Sequence, residues 1–186
     1  MADALGAKRT LVQWLPLLAI ALWWAVRLGT TGMVAFETGI SIGVFTHFGL
    51  TMTVALIAAF QVVGGDSFIA RFKSSLRPTV LYALLAASST VAYHHVVCSE
   101  ATSLRMLERE VFIDQSLADE ASFAALQKDD PQLAMMDVET ARERAKASLR
   151  FQFDPLWHFT ASLLMWIAAA MSTVLFTSFL GQWFKS

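Results

Sequence analysis

Cysteine is nearly absent from this sequence: Cys98 is the single one in 186 residues. One cysteine cannot form a disulfide within the chain, and it belongs to no CxxC motif and no Cys/His pair at zinc-site spacing. Disulfide scaffolds and structural zinc modules are therefore excluded, and the cysteine content leaves the redox compartment open.

The common catalytic motifs are absent as well. The sequence contains no GxSxG, HExxH, GxxxxGK[ST] or GxGxxG pattern, so hydrolase, zinc-protease and nucleotide-binding activities have no support in it. The net charge is −1 at pH 7, which gives no support to a nucleic-acid partner. We expect a protein without catalytic activity.

Charge is scarce over most of the chain. Only 16% of residues are charged and 56% are hydrophobic, whereas about a quarter of residues are charged in soluble domains. Apolar runs occupy residues 10–28, 36–63 and 79–97 and continue from Leu156 to about Leu180, and a helix of roughly 20 residues crosses a bilayer. The pattern predicts an all-α integral membrane four-helix bundle whose main solvent is the lipid bilayer.

The charges that do occur are concentrated between the third and fourth runs. Residues 99–154 hold 12 of the 15 acidic and 7 of the 14 basic residues. Their helical periodicity predicts an acid-rich helical insert, which divides the chain into spans 1–3 (1–98), the insert (99–154), and the last span with a short tail (155–186).

Two boundaries within this layout are predicted from proline. Residues 67–77 place apolar side chains on one side and basic ones on the other, which is typical of a short helix lying in the membrane surface. Pro78 then begins the third span, where its missing N–H has no cost. In the insert, Asp129-Asp130-Pro131 has the pattern of an N-cap followed by proline, and it predicts a helix that runs to about Phe151.

That last insert helix carries one narrow apolar stripe. Val138, Ala141, Ala145 and Leu149 follow each other at intervals of three or four residues, a spacing typical of a helix that packs against one partner. We predict that these four residues dock onto another protein. The alternative is a solvated helical cap, since charge runs usually form solvated faces.

Basic residues near the span ends predict the orientation. The positive-inside rule counts Lys and Arg in short loops, and one side of the bundle collects most of them: Lys8, Arg9, Arg71, Lys73, Arg77 and Lys185. Both termini are therefore predicted to be cytoplasmic and the insert to lie outside. In a bacterial inner membrane, the insert would be periplasmic.

All four histidines fall in or beside the apolar runs. His47 lies in the second, His94 and His95 lie late in the third, and His158 begins the fourth. With this topology His47, His94 and His158 could converge as cofactor ligands for haem b or copper, because imidazole is an axial ligand of haem and a good copper or zinc ligand. His94 and His95 point about 100° apart on an α-helix, so one of them at most should face a partner. The alternative, which we favour, is interhelical hydrogen bonding without a cofactor.

Small residues and one charged pair predict how the helices pack. Gly39 and Gly43 precede His47 at intervals of four, and Ala83 and Ala87 repeat in the third run. Small residues at this spacing let helix backbones approach closely. Arg27 and Glu37 flank the turn at residues 29–32 and are predicted to form an ion pair at the membrane interface.

The layout also resembles a known family. The order of spans, the polar segment 64–77, the acidic helical insert 100–150 and the Phe153-Asp154-Pro155 return to the membrane are similar to those of a family of small four-span bacterial inner-membrane proteins of unknown function. The resemblance implies a bacterial inner-membrane location and supplies no activity.

Three functions follow as hypotheses. The first is a non-catalytic accessory or scaffolding subunit of an inner-membrane complex, with other membrane-protein subunits or further copies of itself as partners. The second is an electron-transfer or quinone-interacting subunit that binds haem or a metal through its histidines. The third is a small oligomeric channel or transporter in which Glu37 handles cations or protons.

Overall fold

The computed structural model describes residues 2–61, 67–129 and 133–183. Within these ranges the chain is helical and contains no strand. The elements are α1 (Ala2–Thr30), α2 (Phe36–Phe60), α3 (Phe68–Ala92), a π-helical segment (Tyr93–Val97), α4 (Ser99–Ser116), α5 (Glu120–Asp129), a 3-10 turn (Leu133–Met135), α6 (Val138–Gln152) and α7 (Pro155–Trp183).

Four of these helices are long and apolar enough to cross a membrane. The segments of sufficient length and hydropathy among the described residues are Val12–Thr30, Phe36–Phe60, Phe68–Val97 and Pro155–Leu180. This confirms the all-α class and the presence of four long apolar helices that could span a membrane. The chain divides into two compact units, which we call the bundle unit (residues 1–90 and 160–186) and the insert unit (residues 91–159).

The first two helices differ from the prediction at their ends. α1 begins at Ala2, eight residues before the predicted start at Thr10, and α2 ends at Phe60 with Gln61 in a turn. The predicted end of the second span at Val63 lies outside the described residues, as do the Gly64-Gly65-Asp66 turn and Lys185 of the predicted tail.

The largest correction to the predicted layout concerns α3. A separate surface helix at 67–77 and a new helix beginning at Pro78 were predicted, but one continuous helix runs from Phe68 to Ala92 with Pro78 inside it. Pro78 has no N–H to donate to the carbonyl of Ser74, four residues earlier. Pro78 is buried, and packing against neighbouring helices allows proline inside a membrane helix.

In the bundle unit, α1 and α2 are the helix pair with the closest backbones. α3 contacts each of the other three helices through side chains. Trp24 of α1 donates to Ser89 Oγ (3.1 Å), Ser74 Oγ donates to the Ala58 carbonyl of α2 (3.1 Å), and the ring of Phe68 lies 4.8 Å from that of Phe179 in α7. Ala83 and Ala87, predicted as packing residues, are fully buried.

The insert unit has a small core of its own. Leu117, Phe123 and Ala141 are buried together, and the partly buried side chains that pack against them are Ile113, Leu133, Met136 and Val138. Gln127 of α5 donates to the carbonyls of Leu133 (3.1 Å) and Met136 (3.0 Å). Three short helical elements are thus joined around a core of few residues.

The last insert helix begins later than predicted. Asp137 is the N-cap of α6, and its carboxylate accepts a hydrogen bond from the Thr140 N–H at 2.7 Å. The predicted cap at Asp130-Pro131 lies outside the described residues, and Leu133–Met135 form a 3-10 turn instead of α-helix. Hydrogen bonds from the Thr140 N–H hold the pKa of Asp137 below its ordinary value.

Ion pairs connect α4 to α6. Lys146 Nζ lies 2.8 Å from Asp114 Oδ1, and Arg150 Nε lies 2.8 Å from Glu110 Oε1. The Glu110 carboxylate raises the pKa of Arg150. Within α6, Arg142 Nη1 lies 2.6 Å from Oε2 of Glu139, three residues earlier.

These contacts correct the predicted docking surface. Ala141 and Leu149 are buried, Val138 packs against the insert core, and Ala145 is half-buried. The stripe therefore packs within the insert unit, where α4 is the neighbour of α6. Its periodicity correctly indicates that the face is covered, but the partner is the protein's own chain.

Candidate functional site

The guanidinium of Arg27 lies in the groove made by two glycines of α2. Arg27 is 2% exposed and donates through Nη1 to the Gly39 carbonyl. A Cβ atom at Gly39 would lie 2.9 Å from Arg27 Nη1, and one at Gly43 would lie 3.0 Å from Arg27 Cδ. The glycines are required here because the side chain of α1 occupies the space that larger residues would fill.

His47 lies at the centre of an aromatic and polar cluster in the same unit. It is 1% exposed. The Trp23 ring stacks on it at a centroid distance of 4.2 Å, and Trp166 of α7 packs edge-on at 5.0 Å. Trp23 also donates from Nε1 to the Gly43 carbonyl at 2.9 Å. Helices α1, α2 and α7 therefore meet around one imidazole.

Hydrogen bonds assign the tautomer of His47. Nδ1 lies 2.8 Å from the Tyr82 hydroxyl and Nε2 lies 3.5 Å from Thr90 Oγ1. Thr90 already donates its hydroxyl hydrogen to the Ala86 carbonyl (2.9 Å), so towards His47 it can only accept. The neutral imidazole therefore carries its hydrogen on Nε2, and Tyr82 donates to Nδ1.

This arrangement does not fit a haem or metal bound through His47. Both ring nitrogens have hydrogen-bond partners, Trp23 covers one ring face, and Arg27 fills the space beside Gly39 and Gly43 on the same helix. Coordination would require these side chains to move. In the present geometry, the buried polar groups of the bundle unit hold helices together.

The other three histidines meet in the insert unit. His95 Nε2 and His158 Nδ1 are 3.0 Å apart, and the His94 and His158 rings have centroids 5.5 Å apart. All three are half-buried. His47 and this histidine group belong to different units, and the structure assigns the four histidines to two separate clusters.

A π-helical turn explains why two consecutive histidines approach the same partner. In Tyr93–Val97 the Cys98 N–H donates to the Tyr93 carbonyl five residues back, at 2.8 Å. This wider turn changes the 100° step on which the prediction of a single facing histidine was based. His95, which was not among the predicted ligands, is the residue that contacts His158 most closely.

Other residues of these clusters gave little signal in the sequence. Tyr82, Thr90 and Trp166 are ordinary members of apolar runs, and only the polar tip of Tyr82 inside a span hints at a buried hydrogen bond. The predicted Arg27–Glu37 ion pair stays a prediction: Glu37 is exposed, and the contact shown for Arg27 is to Gly39.

Within the part of the chain that the structure describes, no three His, Cys, Asp or Glu side chains are already arranged to hold a metal ion. Comparison with known proteins found no relative: no protein-family model, curated protein or solved structure matches this chain.

Proposed function

We propose that this protein is a non-catalytic accessory subunit of a bacterial inner-membrane complex, with cytoplasmic termini and a periplasmic insert unit. The observation that carries the proposal is an apolar stripe on α4. Leu104, Leu107 and Val111 are 55%, 55% and 45% exposed, and their spacing of three and four residues places them on one helix face. We call these three residues the α4 stripe.

The insert unit does not need the α4 stripe for its own folding. Its core uses Ile113, which lies on the opposite side of α4 and packs against the cluster of Leu117 and Phe123. Glu110 and Asp114, which lie closer to the stripe, pair with α6. An exposed apolar face bordered by charged residues is typical of an interaction surface.

Charge indicates which partner fits this surface. Glu100 and Glu108 border the α4 stripe and are exposed, and neither has an ion-pair partner in the described residues. Helices that lie on a membrane surface usually carry Lys and Arg beside their apolar face, so the acidic border favours a protein over an anionic bilayer. The partner we propose is an amphipathic helix of another subunit, with basic residues flanking its apolar face.

The polar groups of the bundle unit are consistent with this function. Arg27 and Trp23 of α1 donate buried hydrogen bonds to carbonyls of α2. His47 of α2 is hydrogen-bonded to Tyr82 of α3. A channel or an electron carrier would need groups that bind a moving ion or a cofactor, whereas a scaffold needs rigid helices.

The test is site-specific photo-crosslinking in native membranes. A photoreactive amino acid at position 107 should crosslink to a basic amphipathic helix of one protein, and the same residue at exposed position 147 of α6 should not. Leu107→Glu should remove that protein from the purified complex, while Ala147→Glu should retain it at the same stoichiometry. Crosslinks only to lipid or to a second copy would overturn the proposal.

The proposed orientation has its own test. In a Cys98→Ser background, Ser148→Cys introduces one exposed thiol into the insert unit. A membrane-impermeant thiol reagent should label it in intact spheroplasts. Labelling only after the membrane is broken would place the insert in the cytoplasm.

A further inference from the structure

The pair formed by His95 and His158 has the chemistry and almost the spacing of a metal site. Their facing nitrogens are 3.0 Å apart. Two imidazole nitrogens that bind one tetrahedral zinc ion at about 2.0–2.1 Å are themselves about 3.3–3.4 Å apart. A widening of a few tenths of an ångström, within reach of small ring rotations, would convert this hydrogen bond into two bonds to one ion.

The surroundings differ from those of His47. His95 and His158 are half-buried, so an ion and its water ligands can reach them, and His94 is close enough to His158 for its ring to turn towards the same position. Asp154 lies close enough to His95 for an electrostatic interaction. Its Oδ1 also accepts hydrogen bonds from the N–H groups of Leu156 and Trp157, which fixes a negative charge at the start of α7.

The backbone supports the same position. His95 lies in the π-helical turn Tyr93–Val97 and His158 in the first turn of α7, so two helix ends hold the facing rings. Short π-helical segments occur often at functional sites. The rings of His94 and His95, both in this turn, lie 5.5 Å and 5.3 Å from that of His158 between centroids.

We propose that His95 and His158 together bind one divalent transition-metal ion, Cu²⁺ or Zn²⁺, with water completing the coordination. Imidazole suits both ions, and the general affinity order places Cu²⁺ above Zn²⁺. Ca²⁺ and Mg²⁺ are excluded because they prefer oxygen ligands. The site is independent of the α4 stripe and of the accessory function.

Metal binding by the purified full-length chain in detergent tests this proposal. A Cys98→Ser background removes thiolate as a competing ligand, and equilibrium dialysis against Cu²⁺ or Zn²⁺ with elemental analysis measures the bound ion. We expect one equivalent per chain. His95→Ala and His158→Ala should each weaken binding by at least about tenfold, and Cu²⁺ electron paramagnetic resonance should show two equatorial nitrogens that fall to one in either variant.

The control is His47→Gln, which alters the buried imidazole of the other unit and should leave metal stoichiometry unchanged. Thermal unfolding of each variant checks that it is folded. Absence of binding by the folded Cys98→Ser protein would overturn the proposal and leave the pair as a hydrogen bond. So would an affinity in the His95→Ala and His158→Ala variants equal to that of the Cys98→Ser protein.

Discussion

The bundle unit and the insert unit use polar side chains in opposite ways. In the bundle unit Arg27, His47 and Tyr82 are buried and satisfied by neighbouring helices, while large apolar residues such as Phe45 are exposed at its surface. In the insert unit Asp114, Lys146 and Arg150 form ion pairs at the edge of a small apolar core.

The difference follows from the solvent of each unit. Lipid cannot satisfy a hydrogen-bonding group, so a polar side chain in a membrane helix must find its partner inside the protein. Water satisfies exposed charges, so the insert unit gains stability mainly by burying apolar side chains. We therefore expect the bundle to be sensitive to changes in its polar contacts and small residues, and the insert to changes in its few large apolar residues.

Removing the largest side chain of the insert core should have the greatest effect. Phe123 is 5% exposed, and Phe123→Ala should lower the free energy of unfolding of the insert unit by about 3–5 kcal/mol. Phe112→Ala is the matched control, because Phe112 is 64% exposed and its loss should cost less than about 0.5 kcal/mol. Limited proteolysis should cut residues 99–154 in the first variant while the spans stay intact. Equal protection of both variants would contradict the assigned core.

In the bundle, one added methyl group in the glycine groove should lower the stability of the fold. Gly43→Ala places its Cβ against the buried Arg27 side chain and should cost about 1–3 kcal/mol by overpacking. Gly49→Ala, on the same helix with open space around it, should be neutral or slightly stabilising. Thermal unfolding in detergent measures both, and equal melting temperatures would mean that Arg27 does not occupy the groove.

The hydrogen bond between Tyr82 and His47 can be tested directly by a double-mutant cycle. Tyr82→Phe leaves His47 Nδ1 buried without its donor and should cost about 1–2 kcal/mol. Combining it with His47→Leu removes both polar partners, so the double variant should lose less than the sum of the two single changes. Strict additivity in the same unfolding assay would show that the two groups do not interact.

The smallest effect is expected at the N-cap of α6. Because the folded-state pKa of Asp137 is lowered, its stabilising contribution is fully present above the ordinary value of 3.8 and is lost as the pH falls through the lowered folded pKa. Asp137→Asn retains a capping acceptor that does not titrate. Between about pH 6 and pH 2, the melting temperature of the insert should therefore fall less in this variant than in the parent protein. An unchanged pH dependence would show that the carboxylate does not cap α6.

Much of the fold could be predicted because its signals are local. Hydropathy and length are properties of a single segment, and they identify all four long apolar helices. The charged segment 99–154 and its helices are visible for the same reason, as is the i,i+3 pair of Glu139 and Arg142. The predicted break at Pro78 was wrong because the proline is buried inside a continuous helix. A rule about proline alone omits the packing against other helices that supports such a residue.

The candidate sites could be predicted only in part. Periodicity identified Gly39 and Gly43 as a groove, but it did not show that Arg27 fills it. It identified the stripe that contains Val138 and Ala141, but these two residues pack in the core of the insert itself. The α4 stripe shows the same kind of spacing in the sequence, but periodicity did not tell that this face stays exposed.

The helical class, the four long apolar helices and the position of the charged insert follow from the amino-acid sequence, because each depends on the composition of one continuous segment. The packing of distant segments places Arg27 in the glycine groove, bonds His47 to Tyr82 and brings His95 to His158. Periodicity states which residues share a helix face, whereas the neighbour that a face meets depends on how distant segments pack and on local departures such as the π-helical turn.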